Sequence, residues 1–192
     1  TAVRETAAKK GVLLIPAFSL ERAQELLYEL HTLAEEKKIP ALPTYLDSPL
    51  AVKVLPIYKK FSEYYDREAA ALKASGDDFF KFPGLRMTQS AEDSRHIIEV
   101  APPKIIIAGS GMMHGGRIMG HLSHYLSDPR TTVLVVGYQS AGTVGRAVME
   151  GAKMVHIDHQ EIEVRARVEV IGAYSAHADQ SKLLRWVKSG ST

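Results

Sequence analysis

Residues 104–122 constrain the fold more than any other part of the sequence. They read KIIIAGSGMMHGGRIMGHL, in which a continuous apolar run precedes a glycine-rich stretch and apolar residues then recur at helical spacing. A continuous apolar strand is typical of a parallel sheet that is covered on both faces. The glycines allow a tight turn and a close approach of the backbone to a ligand. We therefore predict a strand, a turn and a helix whose N-terminus can bind an anion, although turn geometry alone also explains the glycines.

The rest of the chain repeats this alternation of strands and helices. Apolar runs predict strands at residues 11–17, 43–47, 85–88 and 131–136. We expect Ser19, Ser48 and Ser90 to cap the helices that begin there. Near the C-terminus, polar and apolar residues alternate over 154–157 and 161–171, which predicts an antiparallel hairpin around a turn at 158–160. The order indicates an α/β fold, with a mostly parallel sheet, helices on both faces and one antiparallel hairpin.

Composition excludes several classes of protein. The chain has 192 residues, 45% hydrophobic and 24% charged, which fits an ordinary globular domain. A net charge of +2 permits a phosphate-bearing partner without requiring one. The absence of cysteine excludes disulfides and thiolate metal sites, and it fits a reducing, cytoplasmic location. No apolar run reaches the ~18 residues of a membrane span, so we expect no membrane partner. Residues 1–10 are interpreted as the end of an upstream helix or linker.

Eight histidines raise the question of a metal site. His121 and His124 are three residues apart on a predicted helix, but no third ligand is visible nearby. Residues 156–159, His-Ile-Asp-His, resemble the tail of a zinc signature, yet a polar hairpin turn explains them as well, and we favour the turn. His31 and His96 are expected at the surface or at its boundary. We therefore predict no metal ligand in this chain.

Residues 172–179, GAYSAHAD, form a turn of small residues between a predicted strand and the last helix. The turn contains His177, flanked by Ser175 and Asp179. Because the pKa of histidine lies near neutrality, such a residue can donate to a phosphate or protonate a leaving oxygen. A single histidine cannot make a complete hydrolytic site. The residues alone leave a structural role and a phosphate-facing role equally open.

Five segments taken in order resemble a known family. GVLLIPAFSLERAQELL, YLDSPLA, AGSGMMHGGR, GYQSAGTVGR and YSAHAD are similar to the β-CASP domain of metallo-β-lactamase-fold ribonucleases, relatives of the endonuclease subunit that cleaves pre-mRNA at its 3′ end. The resemblance spans residues 11 to 186, and it assigns 11–192 to this Rossmann-like domain. In the family, the domain is inserted within a metallo-β-lactamase domain. RNA enters the cleft between the two, where two zinc ions activate the attacking water.

The resemblance also implies roles for particular residues. His177 would contact the scissile phosphate and assist protonation of the leaving group, while Ser175 and the backbone N–H of Ala176 would hold phosphate oxygens. Arg22 is interpreted as structural. The residues expected to line the cleft lie in two glycine-bearing turns and comprise Ser110, Gly111, Met112, Arg117, Tyr138, Gln139, Thr143 and Arg146.

Several of the family's motifs are absent from the sequence. These are the His-x-His-x-Asp-His motif, the acidic residue of motif A and the C-terminal His-Gly-Glu motif. The chain is therefore expected to be the inserted domain of a larger enzyme, without catalytic zinc and inactive alone. Its partners would be RNA and the metallo-β-lactamase domain of the same protein. An exposed cleft face would favour self-association, including a homodimer.

Two other classes of protein remain open at this point. An independent α/β module could hold a mononucleotide phosphate in its glycine turns. Such a module would need a carboxylate aimed at the ribose, for which the sequence offers no clear candidate. Alternatively, the chain could be a non-catalytic interaction domain of a nuclease that has lost its activity. The intact SAHAD segment argues against this alternative, since an inactive protein has no need of the histidine.

Overall fold

The computed structural model describes residues 1–172 and 178–190, and these contain a six-stranded parallel sheet and a two-stranded antiparallel hairpin. The strands are β1 (Val12–Pro16), β2 (Thr44–Asp47), β3 (Leu85–Met87), β4 (Lys104–Ala108), β5 (Thr132–Val135), β6 (Met154–Ile157), β7 (Gln160–Glu163) and β8 (Arg167–Val170). The large sheet has the order β3-β2-β4-β1-β5-β8, and every neighbouring pair in it is parallel. The predicted α/β class is confirmed.

Helices connect the strands. They are α1 (Ala2–Ala8), α2 (Arg22–Glu35), α3 (Pro49–Lys60), α4 (Arg67–Ala74), α5 (Ala91–Glu99), α6 (Arg117–Tyr125), α7 (Val144–Met149) and α8 (Gln180–Ser189), with a short 3-10 turn at Ser62–Tyr64. Residues 1–10 contribute α1, whose Ala2, Val3 and Thr6 are buried. None of the helices in the described ranges is long and apolar enough to cross a bilayer.

The central strands are buried on both faces because their side chains alternate between two cores. Leu13 and Ile15 of β1 pack with α2 and α3 on one face, whereas Leu14 packs with α6 and α7 on the other. β4 alternates in the same way, with Ile105 and Ile106 in different cores. Burial on both faces explains why these strands read as continuous apolar runs.

The antiparallel hairpin is confirmed, but it is shorter than predicted. β6 pairs with β7 across a turn at Asp158 and His159, both of which have positive φ (47° and 65°), and Gln160 already belongs to β7. The predicted strand 161–171 divides in two, and its second part, β8, joins the parallel sheet beside β5. Between them, the backbone N–H groups of Arg165 and Ala166 both donate to the Leu126 carbonyl. Alternation of polar and apolar residues is expected both for a strand of the hairpin and for a strand at the edge of the parallel sheet. The pattern alone therefore could not reveal that 161–171 divides into two strands.

Two of the three predicted helix caps are confirmed. Ser48 accepts from the Ala51 N–H at the start of α3, and Ser90 forms a capping box with Asp93 at the start of α5. The predicted cap at Ser19 is wrong, because α2 begins at Arg22 without a side-chain cap. The Ser19 hydroxyl instead hydrogen-bonds the Ser48 hydroxyl at 2.8 Å. A hydrogen bond to Ser48, the residue after β2, thus takes the place of the local cap.

Candidate functional site

Three turns meet at the carboxyl edge of the parallel sheet. The turn after β1 lies between the glycine-bearing turns that follow β4 and β5, since these strands are neighbours in the order β4-β1-β5. Gly111 packs against Phe18, and a Cβ at Gly111 would lie 2.8 Å from the Phe18 ring. Ligands of open α/β sheets bind at this edge, where connections leave adjacent strands in opposite directions. This edge is the candidate site.

The turn after β4 is closed on itself by backbone hydrogen bonds. Ser110 N donates to the Gly115 carbonyl at 3.1 Å, and Ile118 N donates to the Gly109 carbonyl at 2.8 Å. Gly116 has φ of 75°, and a Cβ there would lie 2.6 Å from the Gly109 oxygen, so only glycine fits. The Ser110 hydroxyl lies on the outer side, where it accepts from the His114 N–H at 3.3 Å. Ser110 and His114 are therefore the polar groups that this turn offers to solvent.

Gln139 joins the two glycine-bearing turns. Its Nε2 donates to the carbonyls of Gly111, at 2.8 Å, and Gly137, at 3.1 Å, and the residue is buried. The Ser140 hydroxyl contacts the Met112 sulfur at 3.1 Å, which adds a second link. Tyr138, by contrast, is 66% exposed. Gln139 therefore holds the two turns together, whereas Tyr138 is open to solvent at the sheet edge.

Thr143 and Arg146 belong to the start of α7. The Thr143 hydroxyl accepts from the Arg146 N–H at 3.1 Å and donates to the Ser140 carbonyl at 2.7 Å. The Arg146 Nε pairs with Glu150 at 2.6 Å on a partly exposed surface. Thr143 thus caps the helix, and the Arg146 guanidinium keeps further donors for an anion.

A buried carboxylate that sequence reasoning gave no role lies behind the turns. Asp47, at the end of β2, has a fully buried side chain. It accepts hydrogen bonds from Arg117 Nη1 (2.5 Å), His121 Nε2 (2.7 Å), the Ser94 hydroxyl (2.5 Å) and the Thr88 hydroxyl. We call these five residues the Asp47 cluster. It joins β2, α5 and α6 directly behind the turn after β4.

The Asp47 cluster favours the charged carboxylate. Burial by itself would raise the pKa of the Asp47 carboxyl, but the hydrogen bonds donated by His121, Ser94, Thr88 and Arg117 outweigh it and hold the pKa below its usual range. Arg117 also donates from Nη2 to the Gln89 carbonyl at 2.5 Å, and its side chain is 18% exposed. Arg117 is therefore directed inward, where it fixes the first residue of α6. The sequence signal was an aspartate at the end of a predicted strand, but spacing along the sequence could not identify the partners of its carboxylate.

Among the residues that the structure describes, the histidines do not form a metal site. His121 is buried in the Asp47 cluster, and the ring of His124 packs edge-on against Tyr125. His31 is also buried and pairs with Asp77 at 2.6 Å, so the surface expectation is wrong for His31 and confirmed for the exposed His96. In residues 1–172 and 178–190, no three His, Cys, Asp or Glu side chains are grouped so that they could hold a metal ion. These residues therefore do not fit a zinc site.

The predicted residues Ser175, Ala176 and His177 lie outside the described residues. The strand that leads to them, β8, ends at Val170 and pairs in parallel with β5, so it ends at the same edge of the sheet as the glycine-bearing turns. Beyond them, the Asp179 carboxylate accepts from the Lys182 N–H at 2.7 Å and caps α8. The roles assigned to the three residues stay predictions.

Comparison with known families agrees with this architecture. Residues 23–148 match the model of the Beta-Casp domain, and residues 161–190 match the model of the Zn-dependent metallo-hydrolase RNA specificity domain. The first match covers most of the chain and includes both glycine-bearing turns and Asp47. The chain belongs to the β-CASP family.

Its relatives include named ribonucleases and transcription termination factors. The chain is 39% identical over 186 residues to ribonuclease TTHA0252 of Thermus thermophilus, covering 97% of this chain and 43% of that protein. It is 31% identical over 192 residues to the transcription termination factor FttA of Methanosarcina mazei, covering 97% of this chain and 30% of that protein. An RNase J-like protein of Methanocaldococcus jannaschii is 29% identical over 186 residues, covering 97% of this chain and 42% of that protein. The chain thus spans less than half the length of these relatives.

Proposed function

We propose that this chain is the RNA-clamping part of a metal-dependent ribonuclease of the metallo-β-lactamase fold. The whole protein would hydrolyse RNA phosphodiester bonds, with two zinc ions held by residues outside this chain. The chain alone would bind RNA and cleave nothing. A cytoplasmic location and self-association through the cleft face belong to the same proposal.

The observation that carries the proposal is the convergence of three turns at one sheet edge. The turns after β4 and β5 lie beside the turn after β1, and β8 ends at the same edge of the sheet. Backbone N–H groups in glycine turns are ready donors for phosphate oxygens. Ser110, Tyr138 and Arg146 add side-chain donors there, while Gln139 and Arg117 hold the turns in place. The family membership and the ribonuclease relative support RNA as the phosphodiester.

His177 would be the catalytic residue contributed by this chain. An imidazole that contacts the scissile phosphate can donate its proton to the leaving oxygen as the P–O bond breaks. Ser175 and the Ala176 N–H would hold the phosphate oxygens in place for this transfer. The metal ions would supply the activated water, and no described residue of this chain takes part in that step.

A ribonuclease assay on the full-length protein tests the proposal. Labelled single-stranded RNA is incubated with the full-length protein and with this chain, each with added zinc. The full-length protein should cleave, and its His177→Ala variant should lose about 10²- to 10⁴-fold in rate, the usual contribution of a general acid. His156→Ala is the matched control, because His156 is an exposed hairpin residue facing Glu161 at 3.4 Å, and it should leave the rate unchanged.

Each part of the proposal has its own contrary result. A full-length protein that does not cleave RNA would refute the ribonuclease assignment. Equal rates with and without His177 would refute its catalytic role. Cleavage by this chain alone would refute the proposal that the zinc-binding residues lie outside it. His156, Asp158 and His159 would then be the first residues to re-examine.

The mononucleotide-binding alternative is less well supported. It requires a carboxylate free to meet a ribose hydroxyl. Asp47 stands at the carboxyl end of a strand, but it is fully buried and occupied by four side-chain donors. Saturable binding of a free nucleotide by this chain would favour that alternative.

A further inference from the structure

The outer face of α3 and the turn after it is unusually apolar for a surface. Leu50, Lys53, Ile57 and Lys60 recur every three or four residues, and Phe61 follows Ile57 by four, so these residues share one side of the helix. Leu50 and Ile57 are each 54% exposed, Phe61 is 46% exposed and Tyr64 is 82% exposed. The opposite side carries the buried Ala51 and Leu55. We call Leu50, Lys53, Ile57, Lys60, Phe61 and Tyr64 the α3 face; an ordinary surface helix would be polar there.

The far end of the α3 face carries a pair of aromatic rings. The ring centroids of Phe61 and Tyr64 lie 6.5 Å apart, with a 42° angle between their planes. The Lys60 ammonium lies 5.5 Å from the centroid of the Phe61 ring. Exposed aromatic rings beside a cation are the features on which unpaired bases stack.

Positive charge is concentrated along the same face. Residues 49–64 hold three lysines and one glutamate, Glu63, a net charge of +2 that equals the formal net charge of the whole chain. Lys59 pairs with Asp78 at 2.6 Å. Lys53 and Lys60 form no ion pair with any residue in the part of the chain that the structure describes. Two lysines on this face are therefore available to phosphates.

The α3 face begins at the candidate site. Ser48 caps α3 and Asp47 belongs to the Asp47 cluster, so the first turn of the helix starts at the carboxyl edge of the sheet. With 12 residues, α3 is about 18 Å long at roughly 1.5 Å per residue. That length accommodates roughly five nucleotides at the helical spacing of about 3.4 Å. The face could follow a strand from the site to the Phe61–Tyr64 pair.

We infer that the α3 face binds a segment of single-stranded RNA outside the catalytic cleft. Bases stack on Phe61 and Tyr64, phosphates meet Lys53 and Lys60, and Leu50 and Ile57 contact sugar and base faces. Lysines alternate with apolar residues here, whereas the core of a protein–protein interface is depleted of lysine. Duplex RNA does not fit, because its bases are already stacked on one another. This inference rests on the proposed function and adds a second contact region for the same substrate.

RNA binding by the full-length protein tests the inference. Anisotropy of labelled RNA is measured with a chelator present to prevent cleavage, using single strands of 5 and 20 nucleotides. Tyr64→Ala should weaken binding of the 20-mer by about fivefold or more, and Tyr64→Trp should restore it, since stacking is what the ring supplies. A 5-mer can occupy the cleft or the α3 face but cannot span both, so Tyr64→Ala should weaken its binding less than it weakens binding of the 20-mer.

The lysines are tested through the salt dependence. Lys53→Gln with Lys60→Gln should reduce the slope of log affinity against log salt by about 1.4, roughly 0.7 for each phosphate contact of a single strand. Lys9→Gln with Lys153→Gln is the matched control, because it removes the same charge from exposed residues away from α3. The control should leave the slope unchanged.

The possible failures can be told apart. If the unaltered protein binds neither RNA, the proposed function fails. If it binds the 20-mer but the Tyr64 and lysine variants leave affinity and slope unchanged, only the α3 inference is wrong. A change in sedimentation of Tyr64→Ala without a change in RNA affinity would make the α3 face a contact between copies of the chain, and it would overturn the inference as well.

Discussion

At the scale of single residues, Asp47 is the group on which the arrangement of the site most depends. Its buried carboxylate accepts from Thr88, Ser94, Arg117 and His121, which come from three separate parts of the chain. Arg117 follows the glycine-bearing turn directly, so the position of that turn is linked to Asp47 through one side chain. A carboxylate buried away from solvent is stable in its charged form only when it accepts hydrogen bonds, and here four side chains donate to it.

Replacing Asp47 should therefore be costly. Asp47→Asn keeps the shape but leaves Arg117 without its buried counter-charge, so the free energy of unfolding should fall by about 3–5 kcal/mol. Asp128→Asn is the matched control, since Asp128 pairs with Arg130 at a partly exposed site and should lose about 1 kcal/mol or less. Urea unfolding measures both. Similar small losses in the two variants would contradict the role given to Asp47.

The same two proteins test the pH dependence. Because the pKa of Asp47 is lower in the folded chain than in the unfolded one, the unfolded state binds more protons at acid pH. The stabilisation from Asp47 is thus complete above about pH 4 and is lost as the pH falls below that value. The gap in unfolding free energy between the unaltered chain and Asp47→Asn should narrow from pH 7 to pH 3. A constant gap would be incompatible with this linkage.

Lys104 should produce the opposite dependence at alkaline pH. The side chain is buried, donates to the carbonyls of Ile97 and Val100, and lies 5.3 Å from the Tyr125 ring centroid. Burial lowers its pKa to about 8, so between pH 8 and 10 the unfolded chain holds more protons than the folded one. The free energy of unfolding should rise over that interval by about 1–3 kcal/mol from this group.

Lys104→Met should abolish the alkaline rise, and Lys153→Met, at an exposed position, should preserve it. The measurement is urea unfolding at pH 7.5, 8.5 and 9.5. Burial raises the pKa of Tyr125 to about 12, and its contribution, which falls with pH, begins only above this range. A rise of equal size in Lys104→Met would show that another group is responsible.

At the scale of elements, the glycines in the two helices that follow the glycine-bearing turns have different effects. A Cβ at Gly145, in α7, would lie 1.8 Å from the Gln139 Oε1 and 2.7 Å from the Met112 carbonyl. A Cβ at Gly120, in the exposed face of α6, would meet nothing within 4 Å. Gly145 is required by the packing of the two turns, whereas Gly120 only adds freedom to the unfolded chain.

Alanine at the two positions should have effects of opposite sign. Gly145→Ala should lower the free energy of unfolding by about 2–3 kcal/mol, since Gln139 and the turn after β4 must move apart. Gly120→Ala should raise it by about 0.5–1 kcal/mol. Thermal or urea unfolding compares them. Neutral behaviour of Gly145→Ala would show that Gln139 does not hold the turns.

Most elements could be predicted because their signals are local. The apolar runs of β1, β4 and β5 predict strands, and Ser48 and Ser90 act through neighbouring backbone N–H groups. Ser19 has the same chemistry, but Ser48 supplies a competing partner from a distant part of the chain. His31 likewise looked like a boundary residue, and its burial against Asp77 depends on a contact 46 residues away. Local patterns fail where a distant partner decides.

At the scale of the whole molecule, stability should be uneven. β4 is buried throughout and pairs on both sides, with β1 and β2. α8 has no buried residue among those described, and Leu183, Leu184, Trp186 and Val187 are all more than half exposed. The two elements should lie at opposite ends of the range of local opening free energies.

Hydrogen exchange should display this difference in the isolated chain. Backbone amides of β4 should exchange only through global unfolding, while those of α8 should exchange orders of magnitude faster. The amides of α2, which is packed through Leu26 and Leu27, serve as an internal helical reference. Protection of α8 equal to that of α2 would indicate that the helix is covered, for instance by a second copy of the chain.

The sequence by itself determined the α/β class, the alternation of strands and helices, and the family, because each of these rests on periodicity and on motifs read along the chain. It also identified the two glycine-bearing turns, whose backbone demands are local. Only the tertiary structure decided that Asp47 holds Arg117 and His121, that Gln139 joins the turns, and that 161–171 divides between two sheets. The physical reason is that a buried polar side chain must find its partner in space, and the sequence does not record which distant donor lies within hydrogen-bonding distance.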